Sequence, residues 1–196
     1  MVALRNSSDR YGLMARLFHA AVAATIVANL ALGLLFDDAV ETGEGRFAAL
    51  HATLGILTLL LLVARLLWRA IDPPPPIAVG TPVERTMAHV GHLGLYVLAL
   101  VVALSGWLYA SSEHARIDLL GGMELPALNI ATEPTPVEPM ASDDEGDEHE
   151  ADAGDEFWEE VHELGSWALL ALIALHAAAA LMHRRRKDGT WERMFG

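Results

Sequence analysis

Apolar residues along this chain gather into long runs instead of alternating with polar ones. Four runs reach or exceed the roughly 20 residues that a helix needs to cross a bilayer, and they cover residues 13–36, 47–68, 87–110 and 157–182. Backbone polar groups in lipid must be paired within their own segment, so each run is predicted to be a helix. Short connections make neighbouring helices antiparallel. The predicted fold is all-α, a single four-helix transmembrane bundle over residues 1–196.

Composition agrees with a membrane protein and narrows its chemistry. The chain is 53% apolar, with a mean hydropathy of +0.32, although its formal charge is −13. It has no cysteine, so disulfides, thiolate metal sites, iron–sulfur clusters and thioether-linked haem are excluded. Any metal must use histidine, methionine or oxygen ligands. The excess of acidic residues argues against a nucleic-acid partner, because proteins bind nucleic acids through clustered lysine and arginine.

The charged residues predict an orientation. Of the 13 lysines and arginines, 11 flank one side of the predicted bundle, and 21 of the 26 acids lie at the other. By the positive-inside rule, both termini are predicted to be cytoplasmic and the first and third connections periplasmic. The third connection, residues 111–156, is the acidic outer loop, and its composition predicts that its later half is disordered or only partly ordered. The proline-rich stretch 71–81 is predicted to be a stiff cytoplasmic spacer.

Histidines are the candidate functional residues. Ionisable groups inside a span are costly and by default indicate function. The seven that lie in or beside the spans are His19, His51, His89, His92, His162, His176 and His183. His19 and His176 lie equally far from the cytoplasmic ends of their spans, while His51 and His162 share a level near the outer face.

Spacing on the fourth span allows two stacked sites. His162 and His176 are 14 residues apart, nearly four turns and about 21 Å of rise, so they lie on nearly one face. Two imidazoles from facing helices supply both axial ligands of a b-type haem without any sulfur. Either His89 or His92 is an alternative ligand in place of His19. His89, His92 and His183 are also candidates for quinone or haem contacts, or for purely interfacial residues.

Several short motifs, in order, resemble the bacterial cytochrome b561 family, which is similar to the cytochrome b subunits of nickel hydrogenases. The matching stretches are Leu17-Phe18-His19, Leu50-His51-Ala52-Thr53-Leu54-Gly55, Val63-Ala64-Arg65-Leu66-Leu67, Ala88-His89-Val90-Gly91-His92-Leu93, Val161-His162-Glu163, Leu175-His176-Ala177-Ala178-Ala179-Ala180-Leu181-Met182-His183 and Lys187-Asp188-Gly189-Thr190. The resemblance covers nearly the whole chain except the acidic loop.

The resemblance implies a cytochrome of the bacterial inner membrane with two non-covalent b haems. Such a protein passes electrons between a periplasmic redox partner and membrane quinone, either ubiquinone or another type. Position by position, His19 and His176 look like the ligands of the cytoplasmic-side haem, and His51 and His162 like those of the periplasmic-side haem. Arg16 and Arg65 are candidates for pairing with haem propionates, because guanidinium binds carboxylates in a bidentate manner.

One branch of this family resembles a superoxide oxidase that reduces ubiquinone. A strongly negative outer face disfavours an anionic substrate, although Arg46 and Arg116 offer a local positive entrance. The charge pattern therefore favours a basic periplasmic redox protein. An alternative is a haem-bearing anchor subunit of a larger dehydrogenase or hydrogenase. A remote alternative is a divalent-metal transporter, which would place carboxylates opposite histidines within the membrane.

Overall fold

The computed structural model describes residues 3–36, 45–76, 80–113, 116–128 and 146–195. Four of its helices are long and apolar enough to cross a membrane, which confirms the predicted architecture. In chain order the elements are α1 (Leu13–Leu35), α2 (Gly45–Ile71), α3 (Pro82–Glu113), β1 (Arg116–Leu119), β2 (Met123–Pro126), α4 (Gly146–Arg186) and α5 (Thr190–Phe195). The fold is thus mostly helical, with one hairpin that the all-α prediction did not include.

Three of the spans extend beyond their predicted ends for local reasons. Helix α2 continues to Ile71 and stops before Pro73, since a proline disfavours helix in the residue that precedes it. Helix α3 begins at Pro82 behind a capping box: the Glu84 amide donates to Thr81 Oγ1 at 3.2 Å, and the Thr81 amide donates to Glu84 Oε2 at 2.7 Å.

The later half of the acidic loop, which is predicted to be disordered or only partly ordered, is helical in its last part. Residues 146–156 form the first turns of α4, while 129–145 lie outside the described residues. Glutamate and alanine are good helix formers, and acidic residues near a helix N-terminus interact favourably with the helix dipole. Local helix preference therefore outweighs the disorder expected from high charge density.

The tightly packed centre of the bundle is one apolar layer. Helix α1 packs on α2, α2 on α3, and α3 on α4. Each helix contributes one residue to the layer, with exposed fractions of 2–4%: Val22, Leu62, Ala99 and Leu169. Leu169 is seven residues from both His162 and His176, about 10 Å of rise each way. The layer therefore separates the two levels of histidine.

A hairpin covers one end of the bundle, here called the hairpin end. Strands β1 and β2 pair antiparallel, and the turn between them uses positive φ angles at Gly121 (89°) and Gly122 (73°), which glycine adopts without strain. The Leu120 amide donates to Thr53 Oγ1 of α2 at 2.9 Å, and Ile117 is 8% exposed. The first half of the outer loop is therefore folded against the helices.

The opposite end, here called the terminal end, holds both ends of the described chain. The Arg193 guanidinium donates to the backbone carbonyls of Asp9 (2.8 Å), Pro76 (2.8 Å) and Ser8 (3.4 Å). The Tyr11 amide donates to the Arg193 carbonyl at 3.0 Å. One side chain thus joins the N-terminal segment, the proline-rich stretch and α5.

We expect Arg193→Lys to lower the thermal unfolding midpoint in detergent by a few degrees. An ammonium group cannot reach three carbonyls in the fork geometry of guanidinium, and hydrogen bonds from charged donors contribute about 1.5–3 kcal/mol each, less where exposed as here. The matched control is Arg185→Lys on the exposed surface of α4. Equal midpoints for the two variants would contradict the joining role of Arg193.

Candidate functional site

The first candidate site lies at the hairpin end, between α2 and α4. The His51 and His162 rings face each other with centroids 6.1 Å apart and planes at 77°. Both line a cavity of about 690 Å³ to which all four spanning helices and the hairpin contribute. This volume is in the range of cofactor-binding cavities, about 300–1,000 Å³.

The orientation of His162 is set by α3. Its Nδ1 lies 2.9 Å from the Val102 carbonyl oxygen and 3.4 Å from Ser105 Oγ. A carbonyl oxygen can only accept, so Nδ1 carries the proton and Nε2 keeps its lone pair for a metal, the usual arrangement of a metal-bound histidine.

Gly106 is a site residue that the sequence analysis missed. A Cβ atom at this position would lie 2.7 Å from Cε1 and 2.8 Å from Nδ1 of His162, so any side chain would displace the ring. In the sequence, this role is indicated by a glycine inside the third span, which contributes no histidine to either matched pair. Its role depends on α3 packing against α4, which the sequence does not reveal.

His51 lies against α1. A Cβ atom on Gly33 would be 3.8 Å from His51 Cε1, so this glycine leaves room beside the ring. The backbone carbonyl of Asn29 also lies beside the ring. Within the described part of the chain, however, the buried Nδ1 of His51 makes no hydrogen bond of ordinary geometry.

The second candidate site lies toward the terminal end, where three histidines meet. The His19 and His176 centroids are 6.3 Å apart with planes at 33°, and those of His92 and His176 are 5.3 Å apart at 77°. His92 Nδ1 also bonds the Ala88 carbonyl of its own helix at 2.6 Å. Both pairs matched by depth in the sequence are therefore brought together, with His92 as an additional neighbour.

The two pairs have the separation that a shared metal ion requires. When each imidazole nitrogen is about 2 Å from one ion, the ring centroids lie about 6 Å apart. The 6.1 Å and 6.3 Å separations fit this value, whereas the 5.3 Å between His92 and His176 is shorter. The residues present thus fit two centres with paired axial imidazoles, and they favour His19 over His92.

Arg65 lies beside the terminal-end histidines. Its Cζ is 5.3 Å from the Tyr96 ring centroid, in cation–π range, and Arg69 Cζ is 5.9 Å from the same centroid. Among the described residues, no carboxylate forms an ion pair with Arg65. Arg16, one turn before His19, instead donates from Nε to the Tyr11 carbonyl at 3.1 Å.

His183 and His89 have different surroundings. His89 is exposed, and its Nδ1 bonds the Arg85 carbonyl of its own helix at 2.7 Å. His183 is partly buried, and its Nδ1 lies 2.5 Å from Asp188 Oδ2 in the connection between α4 and α5. Partial desolvation opposes ionisation of Asp188, but hydrogen bonds from His183 and Thr190 lower its pKa to about 2. Asp188 therefore stays ionised throughout the physiological range.

The entrance to the hairpin-end cavity is acidic. Glu159, Glu163 and Asp118 line the cavity together with Arg116. Arg116, one of the two arginines expected to make the entrance locally positive, pairs with Glu124 at 2.5 Å across the hairpin, and this carboxylate balances its charge.

A divalent-metal transporter would bring histidines and carboxylates together around the ion. Within the described ranges, no group of three or more histidine, aspartate or glutamate side chains is arranged to hold a metal ion.

Comparison with known proteins agrees with the geometry. The family model for prokaryotic cytochrome b561 matches residues 10–196. The chain is also 31% identical over 196 aligned positions to cytochrome b561 homolog 2 of Escherichia coli (strain K12), an alignment covering 97% of this chain and 94% of that protein. Four membrane-spanning helices with paired histidines and a family match over nearly the whole length establish that the chain belongs to the prokaryotic cytochrome b561 family, the membrane cytochromes b that bind haem b and carry electrons.

Proposed function

We propose that this cytochrome holds two haem b groups and carries electrons across the membrane between a periplasmic redox partner and the quinone pool. His51 and His162 are the proposed axial ligands at the hairpin end, and His19 and His176 those at the terminal end. The observation that carries the proposal is the pair of imidazole separations, 6.1 Å and 6.3 Å, at two levels of one bundle.

Each proposed ligand has a defined task. Haem supplies one-electron redox chemistry when bound, and two axial imidazoles leave its iron without an open position, which suits electron transfer. The Val102 carbonyl fixes the tautomer of His162, and Gly106 keeps its ring in place. Between the two levels, the layer around Leu62 and Leu169 excludes water.

Arg65 is the proposed partner of a haem propionate at the terminal end. A guanidinium that lies over the Tyr96 ring and has no carboxylate partner among the described residues is suited to an anionic ligand group. Arg16 is the weaker candidate, since its Nε is already engaged by the Tyr11 carbonyl.

Replacing a ligand should remove one haem and leave the other. We expect His162→Ala and His19→Ala each to halve the haem-to-protein ratio in a pyridine haemochrome assay, because each centre depends on two imidazoles. His92→Ala is the matched control and should retain the full ratio. A loss of haem in His92→Ala with none in His19→Ala would instead assign His92 as the ligand.

Quinone is proposed to meet the protein beside His183 at the terminal end. Because its Nδ1 donates to Asp188, His183 is held in one tautomer. It is available to a quinone and lies beside a carboxylate that stays ionised. Quinone reduction consumes protons, and a histidine side chain is suited to deliver them. Both residues lie where α4 ends and α5 begins.

Asp188→Asn should slow reduction of a soluble quinone analogue several-fold while the haem content stays unchanged. The asparagine amide carries no negative charge and stabilises a protonated imidazole less than a carboxylate does. Proton delivery through His183 is therefore expected to be slower. The matched control is Glu192→Gln, an exposed acid on α5. The quinone assignment fails if the two variants reduce the analogue at the same rate.

The acidic entrance favours a basic redox protein as the periplasmic partner. Glu159, Glu163 and Asp118 line the cavity, and Arg116 is paired with Glu124. A negative field attracts a cationic protein and repels superoxide. A superoxide:ubiquinone oxidoreductase activity is therefore the less favoured variant of the proposal.

The double variant Glu159→Gln/Glu163→Gln should slow electron exchange with a basic cytochrome several-fold at low ionic strength. Added salt should reduce the difference from the unmodified protein, because it screens charges on the surface. The control is Glu160→Gln, an exposed acid on the same helix that does not line the cavity. Faster capture of superoxide by the double variant, with no change toward the basic cytochrome, would favour superoxide as the substrate.

A further inference from the structure

The hairpin-end cavity contains most of the unpaired polar atoms of the described residues. Among the described residues, five buried side-chain atoms lack a hydrogen-bond partner. Four of them belong to residues that line this cavity: Asn29 Oδ1, His51 Nδ1, Thr58 Oγ1 and Trp107 Nε1. Buried polar groups are normally paired. Their concentration in one cavity indicates that pairing is completed when the cavity is filled.

Two of these atoms are chemically complementary. If Nε2 of His51 binds iron, Nδ1 carries a hydrogen and becomes a donor without an acceptor. Asn29 Oδ1 is an acceptor without a donor. The two residues lie on α1 and α2, which pack against each other.

The Asn29 amide lies close to the part of α2 that carries His51. Its Nδ2 is 3.5 Å from the position that a Cβ atom would take on Gly55, one turn along α2 from His51. The backbone carbonyl of Asn29 lies beside the His51 ring. The side chain and the backbone of Asn29 thus both lie near the turn of α2 that carries His51.

His162 provides the comparison. Its Nδ1 has an acceptor in the Val102 carbonyl at 2.9 Å, whereas the buried Nδ1 of His51 has no hydrogen-bond partner among the described residues. Metal-bound histidines nearly always donate their second ring nitrogen to an acceptor. Of the two proposed ligands at this end, His51 is the one that still needs such an acceptor.

We propose that Asn29 is a positioning residue for the hairpin-end haem, with Oδ1 accepting a hydrogen bond from Nδ1–H of His51. This inference rests on the proposed ligation by His51 and His162. Such a bond fixes the ring orientation and makes the imidazole more basic. A more basic ligand stabilises ferric iron, so the bond lowers the reduction potential of this haem and leaves the other unchanged.

The test is a redox titration with electron paramagnetic resonance spectra of the purified, haem-loaded protein. Asn29→Leu, which has similar size but no acceptor, should raise the potential of one of the two haem transitions and shift the g values of one low-spin signal. Asn29→Asp retains an acceptor oxygen and should restore the g values of the unmodified protein. Thr25→Val removes a hydroxyl from α1 one turn from Asn29, where it bonds the Val22 carbonyl and does not line the cavity, and should leave the g values unchanged.

Three outcomes would overturn the inference: no shift in Asn29→Leu, the same shift in Thr25→Val, or the same g values in Asn29→Leu and Asn29→Asp. The haem-to-protein ratio separates this result from the proposed function. Two haems per chain with an unaffected Asn29→Leu spectrum would reject only the role of Asn29. A His51→Ala variant that retained both haems would reject the proposed ligation itself. If Asn29→Leu fails to fold, Asn29→Ala provides the same comparison.

Discussion

The spacing of two imidazoles on one helix is the constraint on which the rest of this structure depends. His162 and His176 lie 14 residues apart on α4, so both point to the same side of the helix at levels about 21 Å apart. Each needs a partner, because an unpaired polar group in hydrocarbon is costly. Helix α2 supplies His51 at one level, and α1 supplies His19 at the other.

The middle of the bundle is packed differently from its two ends. Between the histidine levels, one apolar side chain from each spanning helix fills the interior, and Leu62 and Leu169 are each 2% exposed. At the hairpin end, glycines at positions 33, 55 and 106 lie against polar side chains and hold the helices around a cavity. Close packing thus separates two sites that need space for a flat cofactor.

Segments outside the spanning helices close the two ends of the bundle. At one end, the hairpin bonds to α2 through Thr53 and contributes Ile117 to the cavity wall. At the other, Arg193 joins the N-terminal segment, the proline-rich stretch and α5. The proline-rich stretch is therefore held in place by specific hydrogen bonds, in addition to being the spacer that its composition predicts.

The sequence by itself determined the four spans and the two matched pairs of histidines, because hydrophobic length and the rise per residue act within a single helix. The hairpin, the constraint from Gly106 and the contact of Asn29 with α2 were decided only by the tertiary structure. Each of these depends on which face of one helix meets its neighbour, and residues far apart in the chain define that face. The early start of α4 was decided locally, by the helix propensity of its first residues. The high charge density of this segment had pointed to disorder instead.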